Sequence, residues 1–194
     1  MLENNKIEFI PETHQYLISG VLVPSVTQLI NFIYPNKFDG VPKDTLLAKS
    51  KFGTNIHNAI ECYENNLEFK LSPMERVVFE QYLRVKEREQ IEVVEQEKMI
   101  HYKDKYAGRL DMIANVNGVR SLVDVKTTAK IDYDSLSWQL AFYELGCGEK
   151  FEKHYCLWLP KKGMGRLVEI TPKTKEEVLE VVSSYEKSQQ SNYG

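Results

Sequence analysis

The chain has 194 residues, 42% hydrophobic and 11% aromatic, enough to fill the core of one domain and to exclude global disorder. Lys and Arg number 25 against 28 Asp and Glu, and this net charge of -3 excludes an all-round basic coat while leaving room for a local basic groove. Met1 to Lys6 shows no apolar signal segment, no apolar run approaches the ~20 residues of a bilayer span, and the three scattered cysteines, Cys62, Cys147 and Cys156, fit a reducing cytoplasm.

In chain order, β-prone runs between Ile7 and Val23 read as a hairpin, punctuated by Pro11 and Ser19-Gly20. Ser25 with Gln28 is a capping box opening a helix to about Ile33, stopped by Pro35. A helical stretch runs from about Thr45 to Asn65, and Gly53 is expected to break it and leave Thr54 as a second cap. Ser72-Pro73 with Glu75 caps a third helix, to about Gln90. Strands are expected over 91–102, 108–116 and 119–126, a helix over 134–145, strands over 154–159 and 166–170, and a last helix capped by Thr174 and Glu177. The tail from Ser188 to Gly194 is expected to fray. This order predicts an α/β (mixed α+β) fold in one domain over 1–194, a central mixed sheet flanked by helices. The N-terminal hairpin and helices occupy about 1–90, the core about 91–170 and the last helix about 174–190.

The segment 108–126 is the most informative. Asn117-Gly118 between apolar runs is a strong hairpin signal. A two-residue turn pairs Val116 with Val119, and facing residues then keep numbers that total 235. Asp111 falls opposite Asp124, and Lys126 points to the same face. Leu, Val, Ile, Met and Ala surround these charges on both faces, the mark of a buried strand pair. Two carboxylates and one ammonium in a poorly hydrated space leave a surplus negative charge, which suits a hard divalent cation. A metal-free ion-pair cluster is the alternative.

Two helices carry further candidates. His57 and Glu61 are four apart and share a face, beside the apolar Ile56 and Ile60. Alone, they read more simply as a helix-stabilising pair than as a metal ligand with its orienting carboxylate. Gln139 and Tyr143 share a helix face suited to a sugar–phosphate or base, or belong to an ordinary helix packed through Leu136, Leu140 and Phe142. Lys49, Lys51, Lys126, Lys130, Lys161, Lys162 and Arg166 are placed to meet phosphates or to face solvent.

Together and in order, four motifs resemble the PD-(D/E)XK nuclease superfamily, in particular the RecB-like branch with phage exonucleases and the mitochondrial genome-maintenance exonuclease. They are Gly53-Thr54-Asn55-Ile56-His57, Gly108-Arg109-Leu110-Asp111, Asp124-Val125-Lys126-Thr127-Thr128 and Gln139-Leu140-Ala141-Phe142-Tyr143. The resemblance spans His14 to Leu159, including the leader from His14-Gln15-Tyr16 to Pro24-Ser25-Val26-Thr27. Leu110 stands where the family name has proline. The resemblance implies a restriction-endonuclease-like core in which His57, Asp111, Asp124 and the Val125 carbonyl hold Mg²⁺ or Mn²⁺, and Lys126 positions or activates the attacking water. It implies that Gln139 and Tyr143 shape the site, that Glu61 and Glu97 support the ligands from behind, and that Ser25, Thr27, Lys49, Lys51, Thr127 and Lys130 meet DNA. No iron–sulfur cluster is expected.

The implied activity is a metal-dependent DNA exonuclease on single strands or ends in phage-type replication or recombination. It would work in the cytoplasm, with DNA and a single-strand-binding or recombination protein as partners and no membrane. A structure-specific endonuclease on the same core and a non-catalytic DNA-binding module are the alternatives. Polarity, processivity and oligomeric state are not fixed by the sequence.

Overall fold

The computed structural model describes residues 6–37 and 39–191. It contains β1 (Ile7–Ile10), β2 (Gln15–Ile18), β3 (Val21–Val23), α1 (Val26–Ile33), α2 (Lys43–Glu64), α3 (Pro73–Arg88) and β4 (Ile91–Tyr102). There follow β5 (Tyr106–Val116), β6 (Val119–Lys126), α4 (Tyr133–Cys147), β7 (Lys153–Trp158), β8 (Arg166–Glu169) and α5 (Lys175–Ser191).

Five strands form the main sheet in the order β4-β5-β6-β7-β8. All neighbours are antiparallel except β6 and β7, which run parallel and are joined through α4, as a parallel pair requires. Alternating side chains divide the core in two. Ile100, Leu110, Ile113, Leu122 and Cys156 pack under α1, α4 and α5. Met112, Ala114, Val123, Val125 and Leu157 pack under α2 and α3. The result is the expected α/β architecture, a mixed sheet with helices on both faces. Among the described residues no helix is long and apolar enough to cross a membrane.

Local chemistry sets most boundaries. Both expected capping boxes at Ser25/Gln28 and Ser72/Glu75 close reciprocally. Thr174 and Glu177 exchange the same two hydrogen bonds. Asn117 and Gly118 both take positive φ, 49° and 78°, the left-handed pair that a tight hairpin turn needs. The β5–β6 register is the expected one, Val116 facing Val119 through to Met112 facing Val123.

Three expectations are corrected. The N-terminal hairpin gains a strand and becomes the small sheet β1-β2-β3, because Ser19 and Gly20 form a second left-handed turn. Its Tyr16, Ile18 and Val23 pack on Ala107 at the start of β5. Gly53 does not break α2, and Thr54 caps nothing. A mid-helix glycine costs about 1 kcal/mol relative to alanine, less than the burial of Ile56, Ala59 and Ile60 on the same helix returns. The tail does not fray at Ser188: α5 continues to Ser191. Residues 192–194 of that expectation lie outside the described residues.

Candidate active site

The ladder between β5 and β6 ends one step before Asp111 and Asp124, correcting the expectation of a direct pair there. Asp111 turns its own carboxylate into the gap, and Oδ2 accepts the Val125 N–H at 2.7 Å. The two strands thus part at this end, and side chains complete what backbone pairing leaves open.

Asp124 is fully buried. The Lys126 ammonium lies 2.7 Å from its Oδ2. The ammonium serves that oxygen, while Oδ1, equally buried, has no hydrogen-bond partner among the described residues. Burial pushes the Asp124 carboxyl up to about 6, opposed by Lys126 and reinforced by Asp111. Burial works against the Lys126 charge too, but Asp124 and Asp111 outweigh it and hold the ammonium above its ordinary range. The Lys126 side chain is 28% exposed, whereas that of its partner is fully buried.

α2 crosses the opened end and delivers His57. Its Nε2 lies 3.1 Å from the Val125 carbonyl, and its Nδ1 lies 3.5 Å from Asp111 Oδ1 and 3.8 Å from Glu97 Oε1. Burial disfavours the imidazolium, yet Asp111 and Glu97 prevail and raise His57 to about 9. His57, Glu97 and Asp111 can bring one ligand atom each within 4.8 Å of one another. Glu97 therefore stands beside His57 and Asp111 rather than behind them. Its partner on the far side is Arg109, whose Nε is 2.7 Å from Oε2 and whose guanidinium lies over the Phe9 ring.

Glu97 was within reach of counting. Tyr102 faces Tyr106 across the turn, and counting outward sets Glu97 opposite Asp111, between the pairs Gln96–Met112 and Lys98–Leu110. What the sequence conceals is the irregularity after Val93, which shifts the far end of this strand pair by one residue.

The remaining candidates divide. Gln139 Nε2 donates to the Tyr143 hydroxyl at 2.9 Å, which leaves the phenol's own proton free. Burial keeps that phenol well above its usual range. Tyr143, Thr27, Ser25, His14, Tyr16 and Arg109 line a cavity of about 160 Å³ with His57, Glu97 and Asp111. The small N-terminal sheet thus walls the site, a role the leader sequence did not reveal. Gly108 is required there: a Cβ would meet Val26 Cγ2 at 2.9 Å and Tyr143 Cε1 at 3.3 Å. Ser25 is buried and spends its hydroxyl on the α1 cap. Lys49 and Thr127 line a second cavity. Lys51 and Lys130 are exposed side chains outside the lining of both cavities. Glu61 lies one turn along α2, outside the lining of the His57 cavity, and the carboxylates that reach His57 are Asp111 and Glu97.

The donor set fits a divalent cation. His57, Glu97 and Asp111 offer two carboxylates and one imidazole, and beside them the buried Asp124 keeps one carboxylate oxygen without a partner among the described residues. Without a cation, protonated His57, Lys126 and Arg109 balance Glu97, Asp111 and Asp124, so a metal would enter by displacing the His57 proton.

No family model and no curated protein matches the chain. Among solved structures it is similar to SSO0001, at 18% identity and a TM-score of 0.46 over 83% of this chain and 73% of that one. It is also similar to the alkaline exonuclease LHK-Exo from Laribacter hongkongensis, at 10% identity and a TM-score of 0.49 over 88% of this chain and 89% of the exonuclease. The complex of LHK-Exo with dAMP gives a TM-score of 0.48 at the same identity and coverage.

Proposed function

We propose that the chain is a divalent-metal-dependent deoxyribonuclease of the PD-(D/E)XK type, an exonuclease that shortens single-stranded DNA or DNA ends in phage-type replication or recombination. The observation that carries this reading is the buried Asp124 carboxylate, its Oδ2 on Lys126 and its Oδ1 without a partner among the described residues, set beside the His57–Glu97–Asp111 cluster. A structural ion pair has no use for an unsatisfied buried oxygen, whereas a cation site does.

His57, Glu97, Asp111 and Asp124 would hold Mg²⁺ or Mn²⁺, with the Val125 carbonyl as a further oxygen. The ion would supply a Lewis acid for a phosphoryl oxygen. Lys126 stays protonated beside its two carboxylates, so it acts as a donor rather than as a base. Its ammonium holds the attacking water and offsets charge growing on the phosphate. Tyr143, fixed by Gln139, offers its free proton to a phosphate oxygen. Water oxygen bonds to phosphorus and gives up a proton to solvent, the ester P–O bond breaks, and the leaving oxygen takes a proton from solvent.

The test incubates end-labelled linear single-stranded DNA and a closed single-stranded circle with Mg²⁺, Mn²⁺ or EDTA. Metal-dependent loss of the linear strand alone, slowed at least a hundredfold in Lys126→Ala and Asp124→Ala, is expected. Cutting of the circle overturns the exonuclease reading in favour of an endonuclease, and wild-type rates from Asp124→Ala overturn the site.

A further inference from the structure

A second cavity of about 350 Å³ opens over Thr127 and Thr128, the residues that follow Lys126 in the chain, within the ~300–1,000 Å³ range of ligand sites. It is lined by Lys49 and Phe52 of α2, by Thr127 and Thr128, which follow β6, and by Lys161 and Lys162, which follow β7. No acidic residue is among those lining it. Phe52 packs on the core behind it, and the Lys161 ammonium lies 3.8 Å from its ring centroid. Both loops are anchored: Trp158 Nε1 donates to the Thr128 carbonyl at 2.8 Å, and buried Gln81 Nε2 donates to the Pro160 carbonyl at 2.9 Å. The cavity is thus a preorganised slot with one aromatic face and three cations.

We propose that this slot binds an unpaired nucleotide of the DNA strand, with its base stacked on Phe52 in the place of Lys161 and its phosphates on Lys49, Lys161 and Lys162. Every base has a π-face, so the contact is indifferent to sequence, but a base must be unpaired to offer it. Lysine over the ring is a weak, partly hydrated contact that a base can displace. The slot then selects single strands over duplex and feeds the adjacent site. This selectivity rests on the nuclease reading only for the direction of feeding.

Binding is measured without metal, so that it is independent of hydrolysis. A short fluorescein-labelled oligothymidylate is titrated by anisotropy in EDTA, with the matching duplex as competitor. Phe52→Leu is expected to weaken single-strand binding about tenfold and Phe52→Tyr to preserve it. Lys161→Gln with Lys162→Gln, both exposed, is expected to lower the salt slope by about 1.4. Unchanged affinity in Phe52→Leu, or duplex bound as tightly as single strand, overturns the slot. If the slot passes and wild type hydrolyses nothing in Mg²⁺ or Mn²⁺, the slot stands and the nuclease reading falls. Hydrolysis with Phe52→Leu binding like wild type has the opposite meaning.

Discussion

The strands β5 and β6 form one hairpin with two unlike ends. At Asn117-Gly118 the backbone pairs fully, the turn is left-handed, and the buried side chains are apolar but for Ser121, whose hydroxyl donates to the Val119 carbonyl. At Asp111 and Asp124 the ladder has stopped, a carboxylate replaces a backbone carbonyl, and six charged groups meet. The regular end sets register, because a slip of one residue would turn Asp124 and Lys126 to the other face. The irregular end uses that register to hold charges that no well-paired ladder would accommodate. Precision at one end makes frustration tolerable at the other.

The largest expected effect falls on the irregular end. Lys126→Ala removes one preorganised donor and should lower the hydrolysis rate about 10²–10³-fold, read as initial rates on linear DNA, while the hairpin turn is untouched.

Next comes pH dependence of metal-free stability. His57, raised from 6.5 to about 9, contributes stability that is full below about 6.5 and lost as pH rises through 9. Asp124, raised from 3.8 to about 6, holds its proton more tightly when folded and likewise withdraws stability as pH rises between those values. Metal-free Tm should therefore fall with rising pH, with an upper bound of roughly 3 kcal/mol for the His57 step. Mg²⁺ or Mn²⁺ competes with these protons, so the Tm increment on adding metal should grow across the same window. A metal increment independent of pH would place the cation elsewhere.

The regular end is tested by Gly118→Val. Its φ of 78° is left-handed, and a β-branched side chain there should cost about 1–2 kcal/mol by denaturant titration. Specific activity per folded molecule should not change, because only register strength is reduced.

The smallest effect serves as a control. Ser72→Ala removes the α3 cap, at about 1 kcal/mol, and Ser72 itself touches neither end of the hairpin. It should lower Tm and leave the metal increment unaltered, which separates general destabilisation from damage to the site.

Much of this was legible in the residues. Reciprocal caps at Ser25, Ser72 and Thr174 and the Asn117-Gly118 turn are local chemistry, decided within four residues and indifferent to what packs above them. The shared face of Asp124 and Lys126 follows from the twofold period of a strand. The tertiary structure alone decided the rest. It carried α2 through Gly53, since burial of Ile56 and Ile60 outweighs a local glycine preference. It ended the ladder short of Asp111, drew Glu97 against His57 and Asp111, and closed the cavity with His14 and Tyr16. It also put Phe52 under Lys161, residues 109 positions apart in the chain whose contact depends on how α2 lies across the loops after β6 and β7. Spacing along a chain fixes which side chains share a face, but only packing fixes which faces meet.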